Sequence, residues 1–351
     1  MKRKPLIIGE LKAECPLIQG GMGVGISLSH LAGAVAKEGG IGMISTAQIG
    51  FREPEFEQAP IETNLRCIGK ELEKARKIAP EGVIGCNIMV ATRRYEDYVR
   101  AAVKAGADLI ASGAGLPAKL PEFTRGFRAK LAPIVSSVKA AAVICKLWDR
   151  HYQTAPDLVI VEGPEAGGHL GFDEETLSHL ETLDYGKEIR GVVAHVRQYE
   201  EKYGKKIPVV AGGGIYTRKD AEYYLEELGL DGIQVSTRFV TTEECDAPAA
   251  YKQAYLDARK EDIVITKSPV GMPGRAIRNR FLEEMKKVRK PVTKCFQCLE
   301  KCNPKETPYC ITEALVNAAK GKIQDALLFC GAKAYLAERI ETVHEVMADL
   351  T

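Results

Sequence analysis

"LVIVEGPEAGGHLGF", residues 158–172, opens as a buried strand and closes as a glycine loop that carries one histidine. Leu158 to Val161 is an unbroken apolar run, as expected of a strand covered on both faces. Gly163, Gly167, Gly168 and Gly171 then thin out the side chains around His169. Glycines let backbone approach a ligand closely, and a lone imidazole among them suits acid–base work. A strand-to-helix turn with an ordinary hydrogen-bonded histidine would read the same way, so the rest of the chain decides.

Short β-branched runs of this kind recur at 16–19, 42–45, 83–90, 108–111, 132–135, 158–161, 208–210 and 232–235. Helical patterns stand between them, among them 27–37, 63–79 (stopped by Pro80) and 95–105. Strand and helix in alternation predict parallel βα units, and eight such units predict a (β/α)8 TIM barrel. An open doubly wound sheet is the alternative, but it usually needs fewer strands. The barrel is expected within residues 1–290, including a late insertion, and residues 291–351 form a helical, cysteine-rich C-terminal appendage.

With 351 residues, 45% of them hydrophobic, the chain can bury a large α/β core. Its 49 basic and 47 acidic residues leave a formal charge of +2, which argues against nucleic acid or membrane surfaces as partners and for a small-molecule substrate. The basic run 286–290 ends at Pro291 and reads as the solvated end of a helix. Met1-Lys2-Arg3-Lys4 is followed by Pro5 rather than by a signal-peptide apolar region, so a cytoplasmic protein is expected. In that setting the ten cysteines are expected as thiols.

In a barrel, function sits where strands end, and the glycines cluster there. Gly20-Gly21-Met22-Gly23-Val24-Gly25 follows the first strand, Gly167-Gly168-His169 the sixth, and Gly212-Gly213-Gly214 the seventh. None has the G-x-G-x-x-G spacing of a Rossmann site. The last cluster exposes backbone N–H groups beside a helix start, with Ser236 and Thr237 ending the eighth strand nearby, and loops after the seventh and eighth strands commonly hold a phosphate. A phosphate cradle with a glycine-lined front suggests FMN, although a sugar phosphate would use the same cradle.

Six segments, "PLIQGGMG" (16–23), "NIMV" (87–90), "VEGPEAGGHLGF" (161–172), "PVVAGGGI" (208–215), "DGIQVSTRF" (231–239) and "TKSPVGMPGRAIRN" (266–279), together resemble the nitronate monooxygenase family, formerly 2-nitropropane dioxygenases. Flavin-dependent enoyl-acyl-carrier-protein reductases are its close relatives. The resemblance implies FMN chemistry, with Gly20, Gly21 and Met22 lining the isoalloxazine, Asn87 contacting it, and Gly167 and Gly168 beside a catalytic His169. It also implies that Gly212, Gly213 and Gly214 hold the phosphate together with Gln234, Val235, Ser236 and Thr237. Ser236 stands where the family usually has glycine. The implied activity is oxidation of alkyl nitronates or nitroalkanes; the alternative is an enoyl or enone reductase supplied by NAD(P)H. The other five histidines sit in helical patterns with ordinary neighbours.

The appendage departs from the family pattern. "KCFQCLEKCNPKETPYC" spaces Cys295, Cys298, Cys302 and Cys310 as C-x2-C-x3-C-x7-C. Four such thiolates suit zinc or an iron–sulfur cluster, and packed or redox-active thiols are the plain alternative. The first three spacings are similar to the cluster loop of flavoenzymes of the 2,4-dienoyl-CoA reductase type.

Overall fold

A computed structural model describes residues 3–351; Met1 and Lys2, the start of the basic N-terminal stretch, lie outside the described residues. Eight parallel strands close into a barrel: Leu17–Gln19, Ile41–Ser45, Val83–Met89, Leu109–Gly113, Lys130–Val135, Val159–Glu162, Val209–Gly212 and Gly232–Val235. The last pairs with the first, Ile233 opposite Leu17, so the ladder has no open edge. Each strand lies within two residues of its expected position. Alternate side chains point inward, and Ile41, Met43, Leu109, Ala111, Leu158 and Ile160 fill the interior. Their neighbours Ile84, Cys86, Ile110, Val159 and Val161 point outward to the helices. That is why the strands read as continuous apolar runs.

A hairpin that the sequence reading passed over, Leu6–Ile8 with Leu11–Ala13, plugs the floor of the barrel with Leu6, Ile8 and Ala13. Three aspartates finish the lower rim in the same way. Asp108, Asp157 and Asp231 each precede an even-numbered strand and accept a hydrogen bond from the neighbouring odd strand, at Ile84, Leu131 and Val209, all at 2.9 Å. A cation braces each one: Arg76 at 2.7 Å, Lys205 at 2.9 Å and Arg197 at 3.3 Å.

Two additions lie outside the barrel. Ile263–Lys267 and Pro273–Ile277 form a hairpin whose second strand pairs with the two-residue strand Gly168–His169, giving a small three-stranded antiparallel sheet over the catalytic rim. The C-terminal segment turns back onto the barrel. Helix Val343–Leu350 buries Val343, Val346, Met347 and Leu350 in one cluster with Leu17, Leu31 and Val35, so these last residues complete the outer layer rather than hanging from it. Among the described residues no helix is long and apolar enough to cross a membrane.

Helix Ser29–Lys37 crosses the second strand so closely that a Cβ on Gly42 would stand 1.8 Å from the Ala32 carbonyl oxygen. Backbone on both sides leaves nothing to rotate away. Gly42→Ala should therefore destabilise the protein by about 3 kcal/mol or more in urea unfolding, as overpacking without relief does. A loss under about 1 kcal/mol would mean that the helix can slide outward.

Candidate active site

At the C-terminal rim the barrel opens into a cavity of about 420 Å³, within the range of about 300–1,000 Å³ usual for small-molecule sites. Gly21, Met22, Asn87, Gly167, Gly168, His169, Gly212, Gly213, Gly214, Gln234, Ser236 and Thr237 all line it. Residues from five strand ends therefore converge as the glycine clusters suggested. Gly20 and Val235 do not reach it. Val235 is 1% exposed and packs outward among Leu17 and Phe239. Gly20 works by being small, since a Cβ there would stand 2.2 Å from Ser236 Oγ.

Close packing explains the loops. The first glycine loop is folded on itself by Ser27, whose Oγ accepts from Met22 N–H at 2.8 Å while its own N–H donates to the Met22 carbonyl at 3.0 Å. A Cβ on Gly21 would meet Asn87 Cβ at 2.3 Å, so Asn87 can rise into the cavity only beside a glycine. Gly213 and Gly214 have φ of 103° and 75°, where a side chain is strained. Lys333, from the C-terminal segment, joins this end of the cavity and is held 2.5 Å from Asp220 Oδ1.

His169 hangs over the cavity on the three-stranded sheet. Gly274 pairs with it, Leu170 N–H donates to the Pro273 carbonyl at 2.9 Å, and Arg275 reaches across to the Pro164 carbonyl at 2.9 Å, pinning the loop below. Its Nε2 lies 2.7 Å from Ser268 Oγ, and the edge of Phe329 meets the ring at 4.9 Å between centroids. Burial pushes the imidazole down to about 4, so the ring is neutral near pH 7. None of the other five histidines lines the cavity; His30 and His344 pair at the surface with Asp246 and Glu38.

Ser268 was missed in sequence because its partner lies 99 residues away; it sits inside the quoted 266–279 stretch, but nothing local marks it. Lys333 and Phe329 carried no motif either. Glu162, at the end of the sixth strand, does line the cavity, and burial pushes its carboxyl up to about 7.

The four cysteines of the 295–310 loop line one small second cavity of about 20 Å³, and Cys298 also lines the large one. Burial pushes the Cys298 thiol up to about 11. Among the described residues no three Cys, His, Asp or Glu side chains converge as they would on a single ion, so the closed tetrahedral zinc set that the spacing suggested is not formed.

The Glu162 shift makes a testable statement about stability. The folded protein holds a proton there that the unfolded chain releases above its ordinary value of 4.5, so this contribution is complete below pH 4.5 and lost as pH rises through about 7. Glu162→Gln, which cannot ionise, should unfold about 3 °C above wild type at pH 8 and close to it at pH 5 in thermal scans. An equal difference at both pH values would mean that Glu162 does not titrate there.

Comparison with known proteins agrees with the architecture. The profile of the nitronate monooxygenase family matches residues 4–351. A probable nitronate monooxygenase of Staphylococcus saprophyticus is 28% identical over 309 residues, 81% of each chain. Among solved structures, FabK from Thermotoga maritima superposes with a TM-score of 0.69 at 24% identity, over 96% of this chain and 91% of that one. A nitroalkane oxidase from Streptomyces ansochromogenes also reaches 0.69, at 20% identity, over 96% and 94%. At those identities the two structures speak for the fold alone, but the match to the profile over nearly the whole sequence does more: this chain belongs to the nitronate monooxygenase family of oxidoreductases.

Proposed function

We propose that this protein is an FMN-dependent oxidoreductase that oxidises alkyl nitronates, with His169 as its acid–base group. One observation carries the reading: a neutral, half-buried imidazole faces a glycine-walled cavity whose far end could cradle an anion on backbone N–H groups. The residues fit FMN along the length of that cavity. Gly213 and Gly214, with Ser236 and Thr237, offer N–H and hydroxyl donors to a phosphate, and Lys333, paired with Asp220, stands beside them. Gly21, Met22, Asn87, Gly167 and Gly168 leave room for a flat ring beneath His169. FMN, when bound, would accept electrons from the organic substrate and pass them to oxygen.

The chain's own residues do the rest. An imidazole that stays neutral down to about pH 4 is free to take the α-proton of a nitroalkane or to hold the oxygens of a nitronate. Ser268 occupies Nε2, so Nδ1 is the nitrogen left for this, and the direction of the Ser268 bond sets its role. If Nε2–H donates to Ser268 Oγ, the Nδ1 lone pair is the base; if Ser268 O–H donates to Nε2, Nδ1–H is the donor. The competing reading, an enoyl or enone reductase fed by NAD(P)H, draws on the apolar wall of Leu299, Ile311 and Leu315, which would suit an acyl chain.

Anaerobic mixing separates the two. An alkyl nitronate should bleach the flavin within a turnover time, and NADH or NADPH should do so slowly or not at all. Fast bleaching by a nicotinamide, reversed by an enoyl thioester, with no response to nitronate, would establish the reductase instead. His169→Ala should keep its flavin and lose about 100- to 10,000-fold in turnover, the usual worth of a positioned proton-transfer group. Ser268→Ala should lose about tenfold with the flavin retained, and Ser268→Thr should recover most of it, because only the hydroxyl matters. Gly213→Asp should purify without flavin, since its carboxylate would repel a phosphate and its Cβ would meet Ala166 N at 2.9 Å.

A further inference from the structure

Residues 291–309 contain no helix or strand, yet they are packed into the wall of the active site. An irregular stretch of that length inside a compact domain needs something to hold it. Part of the hold is visible. Leu299 bridges to Thr92, Arg93 N–H donates to the Cys298 carbonyl at 3.2 Å, and Glu300 N–H donates to the Ala91 carbonyl at 3.0 Å. Phe296 stacks on Phe56 at 5.5 Å, and Arg289 binds the carbonyls of Lys305 and Thr307. These contacts hold the edges of the loop. Its middle is the small cavity, whose wall contains Cys295, Cys298, Cys302 and Cys310, all of them free thiols.

Two features of that cavity ask for an occupant. A donor is aimed at one of the sulfurs: Gln297, in the left-handed region at φ 52°, turns its N–H to Cys295 Sγ at 3.4 Å. Such N–H to sulfur bonds offset thiolate charge and are how proteins tune bound clusters. Tyr309, 3% exposed and in the same wall, has a hydroxyl with no hydrogen-bond partner. A buried hydroxyl left unsatisfied is costly, so it should have a partner when the site is complete.

The sulfurs surround this cavity without converging on a point. A single zinc ion would draw four sulfurs to within about 3.8 Å of one another, from its Zn–S distance of about 2.3 Å. An iron–sulfur core holds its thiolates further apart than a single zinc does, so sulfurs that line one cavity without meeting suit it better. We infer that Cys295, Cys298, Cys302 and Cys310 bind an iron–sulfur cluster, set in the wall that the loop shares with the large cavity through Cys298, Leu299 and Ile311. It shares that wall with the proposed flavin site but uses none of the residues proposed to hold the flavin.

Iron, acid-labile sulfide, zinc and flavin should be measured per chain in protein purified anaerobically and reconstituted with ferrous iron and sulfide, with EPR spectra recorded after dithionite reduction. About two to four irons with matching sulfide and a reduced-cluster signal are expected. Cys298→Ser and Cys310→Ser should each lose at least three quarters of the iron and sulfide, while Cys15→Ser, at the opposite end of the barrel, should keep it. Flavin, counted separately, should stay near wild type in Cys310→Ser and Cys15→Ser, whose side chains do not line the large cavity. Wild-type protein that takes up no sulfide, or that holds about one zinc without sulfide, would overturn the inference even if the serine variants do not fold. Iron and sulfide that persist in both variants would overturn it as well.

Discussion

Closure of eight parallel strands is the constraint from which the rest follows. Because every strand runs the same way, all eight C-terminal ends meet at one rim, and Gly21, Asn87, Glu162, Gly212 and Gln234 become neighbours there despite their distance in sequence. Closure also leaves no edge for a ninth strand. The imidazole proposed for proton transfer is therefore placed by a separate device: Gly168–His169 leaves the barrel wall and pairs with Pro273–Ile277. Rigid barrel below and small sheet above define the gap between them, which is the cavity.

Burial then sets the chemistry of that gap. The same loss of water pushes His169 down to about 4 and Glu162 up to about 7, because in both cases it penalises the charged form. Two groups whose ordinary values lie on opposite sides of 5 thus exchange order. Near neutral pH the imidazole is uncharged, with one ring nitrogen carrying N–H and the other free to accept a proton. At the other end Lys333, paired with Asp220, stands beside the glycine cradle.

The barrel was legible in the sequence because its signal is local. Strand runs such as Leu158 to Val161 are apolar on both faces, and glycine clusters mark the strand ends by composition alone. Asp108 opened its expected strand and Asp231 stood just before the expected 232–235, but their bonds to Ile84 and Val209 reach across to the neighbouring strand, and no periodicity reports that. The floor hairpin was passed over because three-residue strands are too short to show alternation. Val235 was misplaced by motif reading: the resemblance names the segment, while the pleat decides that Gln234 faces the cavity and Val235 the helices. Ser268 and Lys333 join the site through contacts spanning 99 and 113 residues, which is tertiary information.

The account stands or falls on what fills the large cavity and how it lies beneath His169. A crystal structure of the protein as purified tests this most directly. It should show FMN with its phosphate among Gly213, Gly214, Ser236 and Thr237, its ring against Gly21 and Met22, and the His169 imidazole facing the exposed side of the ring with Nε2 still bonded to Ser268. A cavity holding a sugar phosphate, or a flavin whose ring points away from His169, would contradict it.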